Sequence, residues 1–122
     1  MNPKTLELQV LEDLQKLFED KNNWTWGTAA RDTHGRITNT NNPTATCWCL
    51  VGGIDKCAGR YVDSIDARER VAVRIHNVMK VKTYDQYDNR EPYEINDDPV
   101  LGLPAVRRLI TETIEELEGE AA

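Results

Sequence analysis

Three cysteines fall within residues 47–59, CWCLVGGIDKCAG, together with a tryptophan and two adjacent glycines. Thiols grouped in this way could serve three chemistries. The first is a structural zinc site, with Cys47, Cys49 and Cys57 joined by His34 or His76 as four soft ligands. A C-x-C pair whose third cysteine waits until position 57 is not a zinc-finger spacing. If residues 46–58 are helical, Cys47 and Cys49 point about 200° apart, too far to share one tetrahedral ion. No metal and no cofactor is therefore expected.

The second chemistry is nucleophilic. A cysteine in the first turn of a helix has its thiolate favoured by the helix dipole. The order Cys49, His76, then Asn96 or Asp97 follows that of a papain-type triad. A thiol-dependent hydrolase with Cys49 as nucleophile, served by His76 and Asp97, is accordingly the alternative reading. Two features oppose it: His76 falls inside an amphipathic helical pattern, and no sheet is evident to present a catalytic histidine. The third use is packing. Free cysteine behaves as a small, readily buried hydrophobe. Each glycine inside a helix costs about 1 kcal/mol relative to alanine, so Gly52-Gly53 asks for close approach by another backbone or a bulky side chain such as Trp24 or Trp26. Packing is the preferred reading, with the stretch as a central helix buried nearly all round.

The elements around it follow from periodicity. Residues 3–20 form a first helix, with Asn2 as cap, Pro3 at its first position, and Val10, Leu11, Leu14, Leu17 and Phe18 at helical spacing. Residues 22–43 are rich in Asn, Thr and Gly, and Asp32-Thr33-His34-Gly35 reads as a turn between two short extended pieces. A second helix is expected over 46–58, capped by Thr46 and stopped by a left-handed Gly59. A third spans about 65–80, opened by Asp66 with Glu69 in capping-box spacing, burying Val71, Ile75, Val78 and Met79. Pro92 and Pro99 make 81–102 irregular. The last helix starts near Leu103-Pro104 and buries Val106, Leu109, Ile110, Thr113, Ile114 and Leu117. The expected fold is all-α or mainly α: a four-helix single domain over residues 1–122, with a short hairpin or ordered loop between the first two helices.

Bulk composition narrows the function. The chain has 122 residues, 30% of them charged, and a formal net charge of −6; mean hydropathy is −0.62. No basic stripe of the kind a nucleic-acid binder carries is present, so direct nucleic-acid binding is not expected. No apolar run suits a membrane span, and the N-terminal stretch lacks the apolar region of a signal peptide. An odd cysteine count fits a reducing compartment. The expected location is the cytoplasm, which makes Asn23-Trp24-Thr25 a chance glycosylation match. Acids cluster at 85–98 and at the C-terminus. The first cluster is not a calcium loop: counting from Asp85, Tyr87 and Arg90 stand where an EF-hand needs an oxygen ligand and a glycine. A solvated face accounts for such acids; a face meeting a basic partner is the sharper alternative.

The order Trp24, Ala30-Arg31-Asp32, Gly35, then Trp48-Cys49-Leu50-Val51-Gly52, then Ile95-Asn96-Asp97 before an amphipathic helix resembles a family of small bacterial and phage proteins of unknown function. Gly53 and Ile54 depart from that family's usual Ala and Leu. The resemblance implies a shared, mainly helical fold and no reaction. It also marks Arg31, Asp32, Asn96 and Asp97, polar residues in expected loops, as candidate binding residues. Ordinary turn chemistry would equally account for them. Their convergence at one end of the bundle would suit recognition of a polar ligand or a partner's backbone. The expected function is a small acidic, non-enzymatic binding or accessory protein acting through protein–protein contact. If phage-borne, it could inhibit a host nucleic-acid enzyme. Trp24, Trp26, Tyr84, Tyr87 and Tyr93, in non-helical segments, are its candidate interface anchors.

Overall fold

A computed structural model describes residues 5–61, 64–82 and 90–121. The first helix, α1, spans Leu6–Leu17 and is capped by Thr5, whose hydroxyl accepts from the Leu8 N–H at 3.2 Å. Asn2 and Pro3, expected to open it, lie outside the described residues. A 3₁₀ turn at Lys21–Asn23 follows, then strands β1 (Ala30–Asp32) and β2 (Ala45–Trp48), and helices α2 (Leu50–Ala58), α3 (Ser64–Lys82), α4 (Pro92–Asp97) and α5 (Gly102–Ala121). Among the described residues the chain is mainly helical with one small antiparallel sheet between α1 and α2, in register Ala30 with Trp48 and Arg31 with Cys47.

Five α-helices stand among the described residues where four were expected. The added one is α4, because a proline at a helix's first position forfeits no hydrogen bond. Pro92 occupies that position, and Glu91 and Glu94 form a reciprocal capping box around it. A second correction concerns α2. Thr46 lies in β2 instead of capping a helix, since the run Ala45–Trp48 pairs with β1 before the chain turns. The cap is Cys49, whose Sγ accepts from the Gly52 N–H at 3.3 Å. Gly59 does end α2, but in right-handed conformation at φ −60°. Helix α3 starts at Ser64, so Asp66 sits inside its first turn, where it pairs with Arg70 at 3.0 Å.

The expected turn is present. The Gly35 N–H bonds to the Asp32 carbonyl at 3.0 Å, and Asp32 Oδ1 accepts from the backbone of His34 and Arg36 at 2.8 and 3.0 Å. These donors, Arg36 first, hold the Asp32 carboxyl below its ordinary pKa.

One apolar cluster draws on all five helices, with Leu11 and Leu14 of α1, Leu50 of α2, Ile75 of α3, Ile95 of α4 and Ile110 of α5 fully or almost fully buried. The stripes read from periodicity on α3 and α5 are buried throughout. The paired glycines solve two separate contacts. A Cβ on Gly52 would lie 2.0 Å from the Ala29 carbonyl oxygen, whereas one on Gly53 would meet Phe18 and Leu14 side chains at 2.8 and 2.9 Å. Neither closest neighbour is Trp24 or Trp26. No helix among the described residues is long and apolar enough to cross a membrane.

Candidate functional site

The segment after the 3₁₀ turn is tied to β2 and to α4. Trp24 bridges Trp48 in a parallel sense, and the Thr25 N–H bonds to the Trp48 carbonyl at 2.9 Å. Helix α4 buries Ile95 in the core and directs Asn96 and Asp97 at this segment.

Asn96 has no exposed surface. Its Oδ1 accepts from the Trp24 indole at 2.7 Å and from the Leu50 N–H, first residue of α2, at 2.9 Å. Its Nδ2 donates to the Thr25 carbonyl at 3.1 Å and to Asp97 Oδ1 at 2.9 Å. A primary amide offers two acceptor and two donor positions, and all four are filled. Asp97 Oδ1 also accepts from the Gly27 N–H at 3.0 Å. Gly27 holds φ +79°, a conformation glycine adopts without strain.

Arg31 reaches the same segment from β1. Its Nε donates to Thr25 Oγ1 at 3.2 Å, and its terminal nitrogens donate to the carbonyls of Trp26 and Gly35 at 3.2 and 3.1 Å. Arg31 and Asn96 thus meet at Thr25. Asp32, the fourth candidate, is engaged in its own turn and makes no bond to the other three among the described residues.

The cysteines occupy three unlike environments. Cys47 is half-buried, with Sγ 3.9 Å from the Arg31 carbonyl. Cys49 is 7% exposed; burial, reinforced by the Asp97 carboxylate, raises its thiol pKa despite the helix N–H groups that oppose the shift. Cys57 is buried in the core, which pushes its thiol up to about 11. His76 lies in a separate apolar groove of about 320 Å³ between α2, α3 and α4, its Nε2 3.8 Å from Glu91. No hydrogen bond or ion pair joins it to Cys49 among the described residues. Nor do those residues hold any group of three or more His, Cys, Asp or Glu placed to bind a metal. Cys47 is expected to react first with a bulky disulfide reagent, and Cys49 and Cys57 only through opening of the native state. Stopped-flow labelling of single-cysteine variants measures this; Cys49 reacting as fast as Cys47 would contradict it.

Beside the Asn96 cluster, Trp24, Trp26 and residues 96–104 line a groove of about 580 Å³. Trp24 is half-buried and packs on the core, and a Cβ added to Gly102, at φ +46°, would meet the Trp24 ring at 3.7 Å. Trp26, two residues on, is 60% exposed, and Val100 is 86% exposed. Asp98 closes the turn that carries Val100, with Oδ1 accepting from Val100 N and Leu101 N at 2.8 and 3.0 Å and Oδ2 bonded to Arg90 at 2.9 Å. Those backbone donors, Leu101 first, lower its pKa.

The pieces that carried the family resemblance, around Trp24, Arg31, Trp48 to Gly52 and Asn96, therefore meet in one bonded cluster. A model of a family of unknown function (DUF6197) matches residues 2–116. The chain belongs to that family. No curated protein and no solved structure matches it. Within this DUF6197 chain, sequence reading named Trp26 as a candidate anchor but missed the groove it lines together with Val100. Its one signal was a second tryptophan two residues after Trp24; an extended chain would put both rings on one face, and only the fold exposes Trp26 while leaving Trp24 half-buried. Of the other proposed anchors, Tyr93 is 53% exposed, while Tyr84 and Tyr87 lie outside the described residues.

Proposed function

We propose that this protein is a small acidic, non-enzymatic binding or accessory protein that acts by protein–protein contact, and that the contact is made at the Trp26–Val100 groove. One observation carries the reading: Trp26 is 60% exposed on a backbone fastened by Arg31, Asp97 and Gly27. Tryptophan is the residue type most enriched at interface hot spots, and a backbone held in place before binding loses little entropy when a partner arrives. The net charge of −6 favours a basic partner surface, of the kind carried by enzymes that act on nucleic acid. In this reading Arg31 and Asn96 build the binding surface more than they touch the partner, Asp97 both holds the Gly27 backbone and faces the groove, and Asp32 shapes the neighbouring turn.

Trp26→Ala separates binding from folding. An exposed substitution of this kind changes stability by about 0.5 kcal/mol or less, so its melting curve should overlay that of the wild type. Immobilised wild-type protein should capture a defined partner from lysate of its source cells, and the Trp26→Ala protein should not. Equal capture by both would end the proposal.

A further inference from the structure

The geometry points to a cationic side chain, arginine or lysine, on a linear segment of the protein partner, lodged between the Trp26 ring and the Asp97 carboxylate. The inference rests on the protein-contact reading above and adds the chemistry of what enters the groove.

The side chains that line the groove carry one sign of charge, and two arginines stand just outside it, Arg90 on Asp98 and Arg31 on the Trp26 carbonyl. The lining residues include Asp97 and Asp98 and no Lys, Arg or His. Both oxygens of Asp98 are spent, on Arg90 and on the Val100 and Leu101 N–H groups. Asp97 differs. Its Oδ1 is fixed by Gly27 N and Asn96 Nδ2, while its Oδ2 has no partner among the described residues, on a residue that is itself exposed. Among the described residues the carboxylate is thus held through one oxygen with the other left to accept, and it needs little ordering when a donor arrives.

The walls suit the rest of such a side chain. Trp24, Trp26, Pro99 and Val100 are apolar, and the methylene stem of Arg or Lys packs along apolar surface while its charged end stays polar. Tryptophan is the strongest aromatic partner for a cation. An anionic segment would meet the Asp97 carboxylate, since Asp98 is already paired with Arg90, and a wholly apolar one would leave Asp97 Oδ2 desolvated without a donor. Charge complementarity therefore selects a cation flanked by apolar residues.

The test is selection of randomised phage-displayed peptides on the intact wild-type protein, followed by titration of the winners against Asp97→Asn, Trp26→Ala and Val100→Asp. Asp97→Asn keeps an acceptor for Gly27 N, and melting curves confirm that each variant is folded. Selected peptides are expected to share an Arg or Lys beside apolar residues, to bind more weakly as salt rises, and to bind each of Asp97→Asn and Trp26→Ala about tenfold more weakly. Peptides that need Trp26 but carry no cation and ignore Asp97→Asn would overturn the inference and leave protein contact at the groove standing. A wild-type dimer that dissociates in Val100→Asp would also overturn it, with a second copy as the occupant. A library yielding no binder, or only binders indifferent to Trp26→Ala, overturns it as well; partner capture with Trp26→Ala then decides the wider reading separately.

Discussion

Replacing Asn96 with alanine is expected to destabilise the protein severely. The change orphans the Trp24 indole N–H, the Leu50 N–H and the Thr25 carbonyl, all now satisfied by one side chain. A buried polar group left without a partner costs about 1–3 kcal/mol. Three such groups, partly relieved by water entering the gap, put the loss at about 3–6 kcal/mol, against a total stability of about 5–15 kcal/mol for a domain of this size. A melting temperature lower by about 10–20 °C follows. Asn96→Asp should be nearly as damaging. It preserves the acceptor for Trp24 and Leu50 but turns a second oxygen toward the Thr25 carbonyl and Asp97, and it buries a charge. Thermal unfolding followed by circular dichroism measures both. If Asn96 were an ordinary surface group awaiting a ligand, either change would move the melting point by only a degree or two, and that result would refute the structural role.

Gly52→Ala is expected to be the most damaging of the glycine substitutions, and with the opposite sign to the usual rule. Alanine in a helix interior normally exceeds glycine by about 1 kcal/mol. Here the new Cβ would stand 2.0 Å from the Ala29 oxygen and 2.8 Å from its carbonyl carbon. Those are backbone atoms of a segment bonded to α2 through the Cys49 N–H at 3.2 Å. Accommodation means prising α2 away from residue 29, which breaks that bond and disturbs the cap that Cys49 and Asn96 supply. Overpacking alone costs about 1–3 kcal/mol, and loss of the cap adds about 1 kcal/mol. Gly53→Ala should cost less, because the atoms in its way, Phe18 Cζ and Leu14 Cδ1, belong to side chains that can shift. Gly119→Ala, with nothing within 4 Å of the added carbon, should instead stabilise by about 0.5–1 kcal/mol. Chemical denaturation should therefore rank Gly119→Ala above wild type, then Gly53→Ala, then Gly52→Ala. Gly52→Ala as stable as wild type would mean that α2 and residue 29 are not in contact.

What the sequence determined by itself was local. The apolar periodicity of α1, α3 and α5 named their buried faces, because a helix's contact stripe repeats every 3.6 residues whatever it packs against. The Asp32–Gly35 turn was legible for a similar reason, since Asp bonds backbone N–H groups only two and four residues ahead. Gly52-Gly53 announced close packing as an anomaly of composition, yet nothing local named Ala29 or Phe18 as the neighbours. Tertiary contact decided the rest. Thr46 had the chemistry of a helix cap, but pairing with β1 claimed its strand and passed the cap to Cys49. Pro92 read as a breaker because a proline excludes a helix only when residues before it are helical, and here it is the first. Trp24 and Trp26 are the same residue type two positions apart; one lies against Gly102 and donates to Asn96, the other meets solvent. Asn96 itself read as a displayed loop residue, and it is buried because its four partners come from residues 24–25, 50 and 97. Hydrogen-bond saturation of a side chain depends on segments far apart in the chain, and only their assembly in space settles it.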